Sequence, residues 1–130
     1  EVDLNLNENQ GPYLVSMDPD HLAQIVIIIA MNAAQAMNGE GRFSISLERE
    51  PNWVKMKLSD TGPGIAPEAA ERLFEPFFTT KNPGEGTGLG LSICQRLVDS
   101  YQGRIEFQSK PGHGATFVIS LPEASVKDSL

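Results

Sequence analysis

The sequence predicts an α+β fold, a two-layer α/β sandwich in which helices cover one face of a mixed, mostly antiparallel sheet. Two hydrophobic patterns alternate along the chain and support this class. Short segments with every second residue apolar are typical of half-buried strands, and segments with capping residues at their ends are typical of helices. Because no repeat or linker separates them, we expect one domain over residues 1–122, followed by a flexible tail over residues 123–130.

The individual elements follow from these patterns. Alternation predicts strands at residues 2–7, 13–17, 42–50, 53–59, 104–109 and 115–121. Helices are predicted at about 19–37, 67–73 and 88–101. Since only a short turn separates the segments at 42–50 and 53–59, we expect these two strands to form an antiparallel pair.

The first predicted helix has clear boundaries but an ambiguous interior. Asp18 is a suitable N-cap, Pro19 fits the first helical position, and Asn38 with Gly39 forms a suitable C-terminal stop. Residues 25–29 are apolar throughout, and such a run also fits a buried strand. The capping residues and the alanine-rich end favour a helix that is buried on most sides.

The composition indicates a soluble globular domain from a reducing compartment. The net charge of −7 over 130 residues opposes general binding to nucleic acids or anionic membranes, although a nucleotide could still bind through backbone amides. The single cysteine, Cys94, cannot form an internal disulfide, and we expect a buried structural thiol rather than a redox sensor. No apolar run is long enough to span a bilayer. The chain begins in a strand pattern without an initiator Met, so we interpret it as a cytoplasmic piece of a longer protein.

A glycine-rich segment over residues 84–90 is the first candidate functional site. Glycines occupy every second position there and lead into a predicted helix. Such a segment lets backbone N–H groups approach a ligand, and a helix N-terminus favours an anion, so it is suited to wrapping phosphates. A flexible surface loop without a ligand is the alternative. The spacing excludes a dinucleotide-binding fingerprint, because Leu91 takes the place of its third glycine, and no Walker-type Gly-Lys-Ser/Thr sequence is present.

Polar residues elsewhere in the chain have chemistry that matches a nucleotide site. Asn32 interrupts an apolar helix, with Gln35 one turn further on, and its amide oxygen is a ligand that Mg²⁺ accepts; the alternative is a polar defect in the core. Asp60 ends a predicted strand, and its carboxylate could accept a hydrogen bond from the N6 amine of adenine or could form a turn. Lys81 is a candidate phosphate contact or a solvated lysine.

Together, these segments resemble the motifs of the catalytic ATP-binding domain of two-component sensor histidine kinases, in the GHKL superfamily. The N box, the first glycine box, the F box, the second glycine box and the closing glycine box are similar to residues 32–36, 60–64, 74–81, 86–91 and 112–117. The residues of the N box and the F box are most similar to those of the nitrogen-regulation group of these kinases. The resemblance covers nearly all of residues 1–122 and implies a Bergerat-type fold.

The resemblance also implies a role for each matching residue. It implies that Asn32 holds Mg²⁺, that Gln35 lies near the phosphates, and that Asp60 recognises adenine. Gly62 and Gly64 would make room for the base. The other implied nucleotide-binding residues are Thr79, Thr80 and Lys81 in a mobile lid, Gly86, Gly88 and Gly90 around the β- and γ-phosphates, and Ile65, Thr87, Leu89 and Thr116 as further contacts.

The activity implied by the resemblance is transfer of the γ-phosphoryl group of Mg-ATP to a histidine, for relay to a response regulator. Neither His21 nor His113 lies in the family's acceptor motif, so we expect the acceptor on a separate dimerisation domain of the parent protein. We expect the isolated domain to be monomeric and the parent to be a homodimer, either soluble or membrane-anchored. No residue of this chain is assigned a catalytic role.

One position departs from the family's pattern. Ile28 stands where the N box commonly has a polar residue, four residues before Asn32. The departure favours, as an alternative, an ATP-binding regulatory module without phosphotransfer. It weakens a third possibility, a self-contained ATPase, because the hydrolytic relatives use a glutamate at this place to activate water.

Overall fold

The computed structural model describes residues 13–76, 90–109 and 112–124 in full, and residues 2–6 as backbone. Along these residues the elements are β1 Val2–Leu6, α1 Pro19–Ala36, β2 Phe43–Glu50, β3 Trp53–Asp60, α2 Pro67–Ala70, α3 Gly90–Ser100, β4 Arg104–Ser109 and β5 Ala115–Pro122. Among the described residues, none of the helices has both the length and the apolar character needed to cross a membrane.

The strands form one sheet in the order β1-β2-β3-β5-β4. β1 pairs with β2 in parallel, and the other three pairings are antiparallel. The predicted pair of neighbouring strands is β2 and β3, joined by a two-residue turn in which Asn52 takes a positive φ of 70°. The prediction of a mixed, mostly antiparallel sheet is therefore confirmed.

Both long helices pack on the same face of the sheet. Ile25 and Ile29 of α1 and Val98 of α3 are fully buried against Leu58 of β3 and Ile119 of β5. The opposite face carries charged side chains, with ion pairs between Lys57 and Glu48 and between Lys55 and Glu50, both at 3.3 Å. A single layer of helices on one face gives the predicted two-layer sandwich, which is confirmed.

The capping residues define α1 as the sequence predicts. Oδ1 of Asp18 accepts a hydrogen bond from the backbone N–H of Asp20 at 2.8 Å, and Pro19 is the first helical residue. At the other end, Asn38 and Gly39 have φ values of 54° and 79°, which stop the helix. The helix interpretation of the apolar run at 25–29 is confirmed.

Three details of the prediction are wrong. α1 is not buried on most sides, because Ile27 and Met31 on its outer surface are 55% and 58% exposed. Residues 13–17 form a single bridge, between Val15 and Glu123, instead of a strand, since β5 has ended before it could pair further. The predicted helix at 67–73 ends at residue 70, because the next hydrogen bonds, such as that from the N–H of Arg72 to the carbonyl oxygen of Ala69, span only three residues.

The predicted C-terminal tail begins with two residues that contact the domain. The N–H of Ala124 donates to the carbonyl oxygen of Leu14 at 2.8 Å, and that of Glu123 donates to Asn52 at 3.0 Å. Arg49 also forms an ion pair with Glu123 at 2.8 Å. Residues 125–130 lie outside the described part of the chain.

Cys94 lies on α3 with none of its surface exposed, as expected for a structural thiol. Burial raises the pKa of this thiol from 9.0 to about 12, since the apolar surroundings disfavour the thiolate. The folded state therefore holds the proton more tightly than the unfolded state. The contribution of the neutral thiol to stability is complete below the unfolded pKa and is lost as the pH rises from there towards 12.

We expect native Cys94 to resist thiol reagents. At about pH 8, an aromatic disulfide reagent should react slowly with the folded protein and fully once denaturant is added, because only the thiolate is nucleophilic. The rate of thiol release, followed by absorbance, measures this difference. Reaction of the folded protein at the rate of the unfolded chain would contradict a buried, protonated thiol.

Candidate nucleotide-binding site

Three segments that are distant in the sequence meet at one end of the sandwich. The C-terminal turn of α1 lies beside Gly62, since a Cβ atom at Gly62 would lie 3.2 Å from Cγ of Met37. The residues after β3 contact the turn that precedes β5, through a hydrogen bond from the N–H of Gly112 to the carbonyl oxygen of Pro63 at 2.6 Å. The first residue of α3, Gly90, lies beside Ile28 in the middle of α1, since a Cβ atom at Gly90 would lie 2.9 Å from Cγ2 of Ile28. The first and the closing glycine boxes therefore lie together, next to the C-terminal end of α1.

The carboxylate of Asp60 is held by two backbone donors. Its Oδ1 accepts hydrogen bonds from the N–H of Gly62 at 2.9 Å and from the N–H of Ala115 at 3.3 Å. Both bonds use the same oxygen, so within the described residues Oδ2 is left for a donor from a ligand. A half-buried carboxylate fixed in this way can accept a hydrogen bond from one amino group of a ligand with defined geometry.

Glycines let the backbone segments around Asp60 approach each other. Gly64 has a φ of 76° and Gly114 a φ of 86°, values that favour glycine. A Cβ atom at Gly114 would collide with the backbone carbonyl oxygen of Asp60. The turn before β5 therefore reaches its position only because residue 114 has no side chain.

Two hydroxyl side chains that sequence reasoning missed support the same loop. Oγ of Ser109, at the end of β4, accepts a hydrogen bond from the N–H of Ile65 at 2.7 Å and donates to the carbonyl oxygen of Gly114 at 3.3 Å. Oγ1 of Thr61 accepts a hydrogen bond from the N–H of Arg42 at 2.9 Å and lies 3.5 Å from Sδ of Met37. A single serine or threonine has no sequence pattern that would have identified either role.

Ile28, Asn32 and Gln35 form a stripe along α1, because positions four and three residues apart share one helix face. Ile28 shows where this stripe points, since its Cγ2 would lie 2.9 Å from a Cβ atom at Gly90. The stripe therefore faces the N-terminal end of α3, where the positive end of the helix dipole favours an anion. Asn32 is half-buried and Gln35 is exposed.

The structure places the side chain of Thr116 on the face of the sheet away from Asp60. In the register of β3 and β5, Ser59 lies opposite Thr116, and their hydroxyl oxygens are 2.9 Å apart. Since neighbouring residues of a strand point to opposite faces, these hydroxyls lie on the face away from Asp60 and Ala115. The residue at this level of β5 that contacts Asp60 is Ala115, through its backbone.

The remaining predicted site residues lie outside the described part of the chain. They are the lid residues Thr79, Thr80 and Lys81 and the loop residues Gly86, Thr87, Gly88 and Leu89. Of the glycine-rich segment, only Gly90 is described, as the first residue of α3. Their roles stay predictions.

Comparison with known proteins agrees with this geometry. Residues 17–125 match the family model for "Histidine kinase-, DNA gyrase B-, and HSP90-like ATPase". Because the match covers most of the chain, this protein belongs to that family of ATPase domains. Within the family, the proteins similar to this chain include sensor histidine kinases, as the motifs indicate.

Three relatives illustrate the similarity. The sensor histidine kinase ZraS of Escherichia coli (strain K12) is 36% identical over 122 residues, which are 94% of this chain and 26% of ZraS. The catalytic domain of the histidine kinase ThkA has a TM-score of 0.80 and 31% identity, over 95% of this chain and 78% of that one. Full-length ShkA, solved in complex with AMPPNP, has a TM-score of 0.84 and 30% identity, over 97% of this chain and 26% of that one. The chain thus spans about a quarter of ZraS and of full-length ShkA, and most of the ThkA catalytic domain.

Gly114→Ala and Gly112→Ala test the packing of the turn onto Asp60. Both glycines have positive φ values, so alanine at either position costs about 1–2 kcal/mol of backbone strain. Only at Gly114 would the new Cβ also meet backbone, whereas nothing lies within 4 Å at Gly112. We expect Gly114→Ala to lower the free energy of unfolding at least twofold more than Gly112→Ala, by urea denaturation. Equal losses would contradict the close approach.

Proposed function

We propose that this domain binds Mg-ATP and transfers its γ-phosphoryl group to a histidine on a separate dimerisation domain, from which the group passes to a response regulator. The observation that carries the proposal is the fixed carboxylate of Asp60, which accepts hydrogen bonds from the backbone N–H groups of Gly62 and Ala115. The family and its sensor histidine kinase relatives support it.

Asp60 would select adenine over guanine. Its free Oδ2 can accept a hydrogen bond from the exocyclic N6 amino group, whereas guanine has a carbonyl oxygen at the equivalent position and would repel it. The ShkA relative is complexed with AMPPNP, an analogue of ATP, which is consistent with this preference.

The donor set around Asn32 fits a magnesium ion that arrives with the nucleotide. Among the described residues there is no group of three or more His, Cys, Asp or Glu side chains that could hold a metal ion. A single neutral amide oxygen beside phosphates and waters is the coordination that Mg²⁺ accepts, unlike a site built only from protein ligands. Bound Mg²⁺ would neutralise charge on the phosphate oxygens, and Asn32 would hold and orient it.

The acceptor histidine would come from outside this chain. Nδ1 of His21 lies 2.7 Å from the hydroxyl oxygen of Tyr101, at the start of α1. Because His21 and Asn32 lie on the same helix, they are about 16 Å apart along its axis, at a rise of about 1.5 Å per residue. His113 is exposed and follows Gly112, without the acceptor motif. The parent kinase would be a homodimer of cytoplasmic catalytic domains, each monomeric when isolated.

A narrower assignment, to the nitrogen-regulation group of sensor kinases, rests on the residues of the N box and the F box alone. ZraS, ThkA and ShkA do not favour that group over other sensor kinases. The cognate acceptor domain and response regulator would decide between groups.

The second candidate, a regulatory module that binds ATP without transferring phosphate, is favoured by Ile28. Its Cγ2 packs against Gly90 at the N-terminus of α3, so an apolar group stands where the family commonly has a polar one near the phosphates. The two candidates share the nucleotide site and differ only in transfer.

Asp60→Asn tests base recognition. The Asn side chain can still accept from Gly62 and Ala115 through its oxygen, but its NH₂ group would face the adenine amine, donor against donor. We expect ATP affinity to fall about tenfold or more, since a hydrogen bond to a charged group contributes about 1.5–3 kcal/mol. Isothermal titration with ATP and Mg²⁺ measures it. Asp99→Asn, an exposed residue near the end of α3, is the control. Wild-type affinity in Asp60→Asn would contradict the assignment.

Phosphotransfer separates the two candidates. The chain is incubated with γ-labelled ATP, Mg²⁺ and the cognate histidine domain, and we expect label on histidine with the wild type and none with Asp60→Asn. Nucleotide binding without label would instead identify a regulatory module. In that case Ile28→Asn should restore transfer, whereas Ile28→Val, which keeps the apolar contact, should not.

A further inference from the structure

The hydroxyl of Ser109 connects three segments around Asp60, and none of the sequence motifs includes this residue. Ser109 lies at the end of β4 and is half-buried. Its Oγ accepts a hydrogen bond at 2.7 Å from the N–H of Ile65, which lies in the loop between β3 and α2. The same Oγ donates to the carbonyl oxygen of Gly114 at 3.3 Å.

The carbonyl group of Gly114 and the N–H group of Ala115 belong to one peptide unit. That peptide therefore has both of its polar ends bonded: the carbonyl oxygen accepts from Ser109, and the N–H donates to Oδ1 of Asp60 at 3.3 Å. Because a peptide unit is planar, a bond that fixes its carbonyl oxygen also fixes the direction of its N–H. The hydroxyl of Ser109 thus fixes the orientation of the Ala115 N–H, the second group that donates a hydrogen bond to Asp60.

We propose that Ser109 is a positioning residue for adenine recognition, acting on Asp60 through the Gly114–Ala115 peptide. The inference rests on the proposed nucleotide-binding function and deepens it. A chain of bonds runs from the N–H of Ile65 through Ser109 to this peptide and on to Asp60, and each bond in such a chain polarises the next. In this proposal Ser109 acts through the peptide and not by direct contact with the nucleotide.

Removal of the hydroxyl would leave two backbone groups without their partner, the N–H of Ile65 and the carbonyl oxygen of Gly114. The Gly114–Ala115 peptide would then lose the hydrogen bond that fixes its carbonyl oxygen, and the direction of its N–H would be less constrained. Asp60 would keep the bond from Gly62 and lose the one from Ala115. The carboxylate would remain in the pocket with a less defined orientation towards a base.

The test compares ATP and GTP binding to the 130-residue chain, measured by titration with Mg²⁺ present. For Ser109→Ala we expect the Kd for ATP to rise about fivefold to tenfold, the loss of one net hydrogen bond, and the Kd for GTP to stay within about twofold. A general loosening of the domain would weaken both nucleotides alike, so the ratio of the two Kd values isolates the positioning role. Ser109→Thr, which keeps a hydroxyl, should restore the wild-type ratio.

Ser100→Ala is the matched control, because Oγ of Ser100 also donates to a backbone carbonyl, that of Leu97 at 2.7 Å, but at the far end of α3. It should bind both nucleotides as the wild type does. If Ser109→Ala does not fold, Ser109→Cys provides the same comparison with a weaker donor of similar size. A further check is the Asp60→Asn background, in which Ser109→Ala should cost no additional ATP affinity.

The outcomes distinguish this inference from the proposed function. A wild-type chain that does not bind ATP overturns both. A wild-type chain that prefers ATP, with an unchanged ATP-to-GTP ratio in Ser109→Ala, overturns only the role of Ser109. Failure of a folded Ser109→Thr variant to restore the ratio also overturns it, because the hydroxyl would then not be the group responsible.

Discussion

The antiparallel pairing of β3 with β5 brings Asp60 against Ala115, residues that lie 55 positions apart in the sequence. The contact is so close that no side chain fits at Gly114. Two loops depend on it: the one that follows β3 and the turn that precedes β5. A slip of one residue in this register would turn Asp60 to the other face of the sheet, so strand pairing and the nucleotide site are set by the same contact.

The two long helices complete the site through their core packing. Ile25 and Ile29 of α1 and Cys94 and Val98 of α3 are buried, which fixes the rotation of each helix on the sheet. That rotation turns the stripe containing Asn32 towards the start of α3. In the proposed function, an acidic protein would bind the phosphates through the N-terminal end of α3 and the neutral amide of Asn32, while the carboxylate of Asp60 would bind the base.

Much of the fold could be predicted because its signals are local. Asp18 and Gly39 mark the ends of α1, and alternation marks the strands of the β2–β3 pair. The exposure of Ile27 and Met31 could not be predicted, because an apolar sequence does not say which of its sides another element covers. The early end of α2 likewise depends on a change from four-residue to three-residue hydrogen bonds that composition does not signal.

The sequence by itself determined the class of fold, the order of the elements and the motif residues Asn32 and Asp60, since each depends on residue type and spacing along the chain. Only the tertiary structure decided how these residues are held. The orientation of the Asp60 carboxylate depends on Ala115, the Gly114 peptide and Ser109. The position of Thr116 on the face away from Asp60 follows from the strand register. These features depend on which segments meet in space, and hydrogen bonds between distant segments have no periodicity in the sequence.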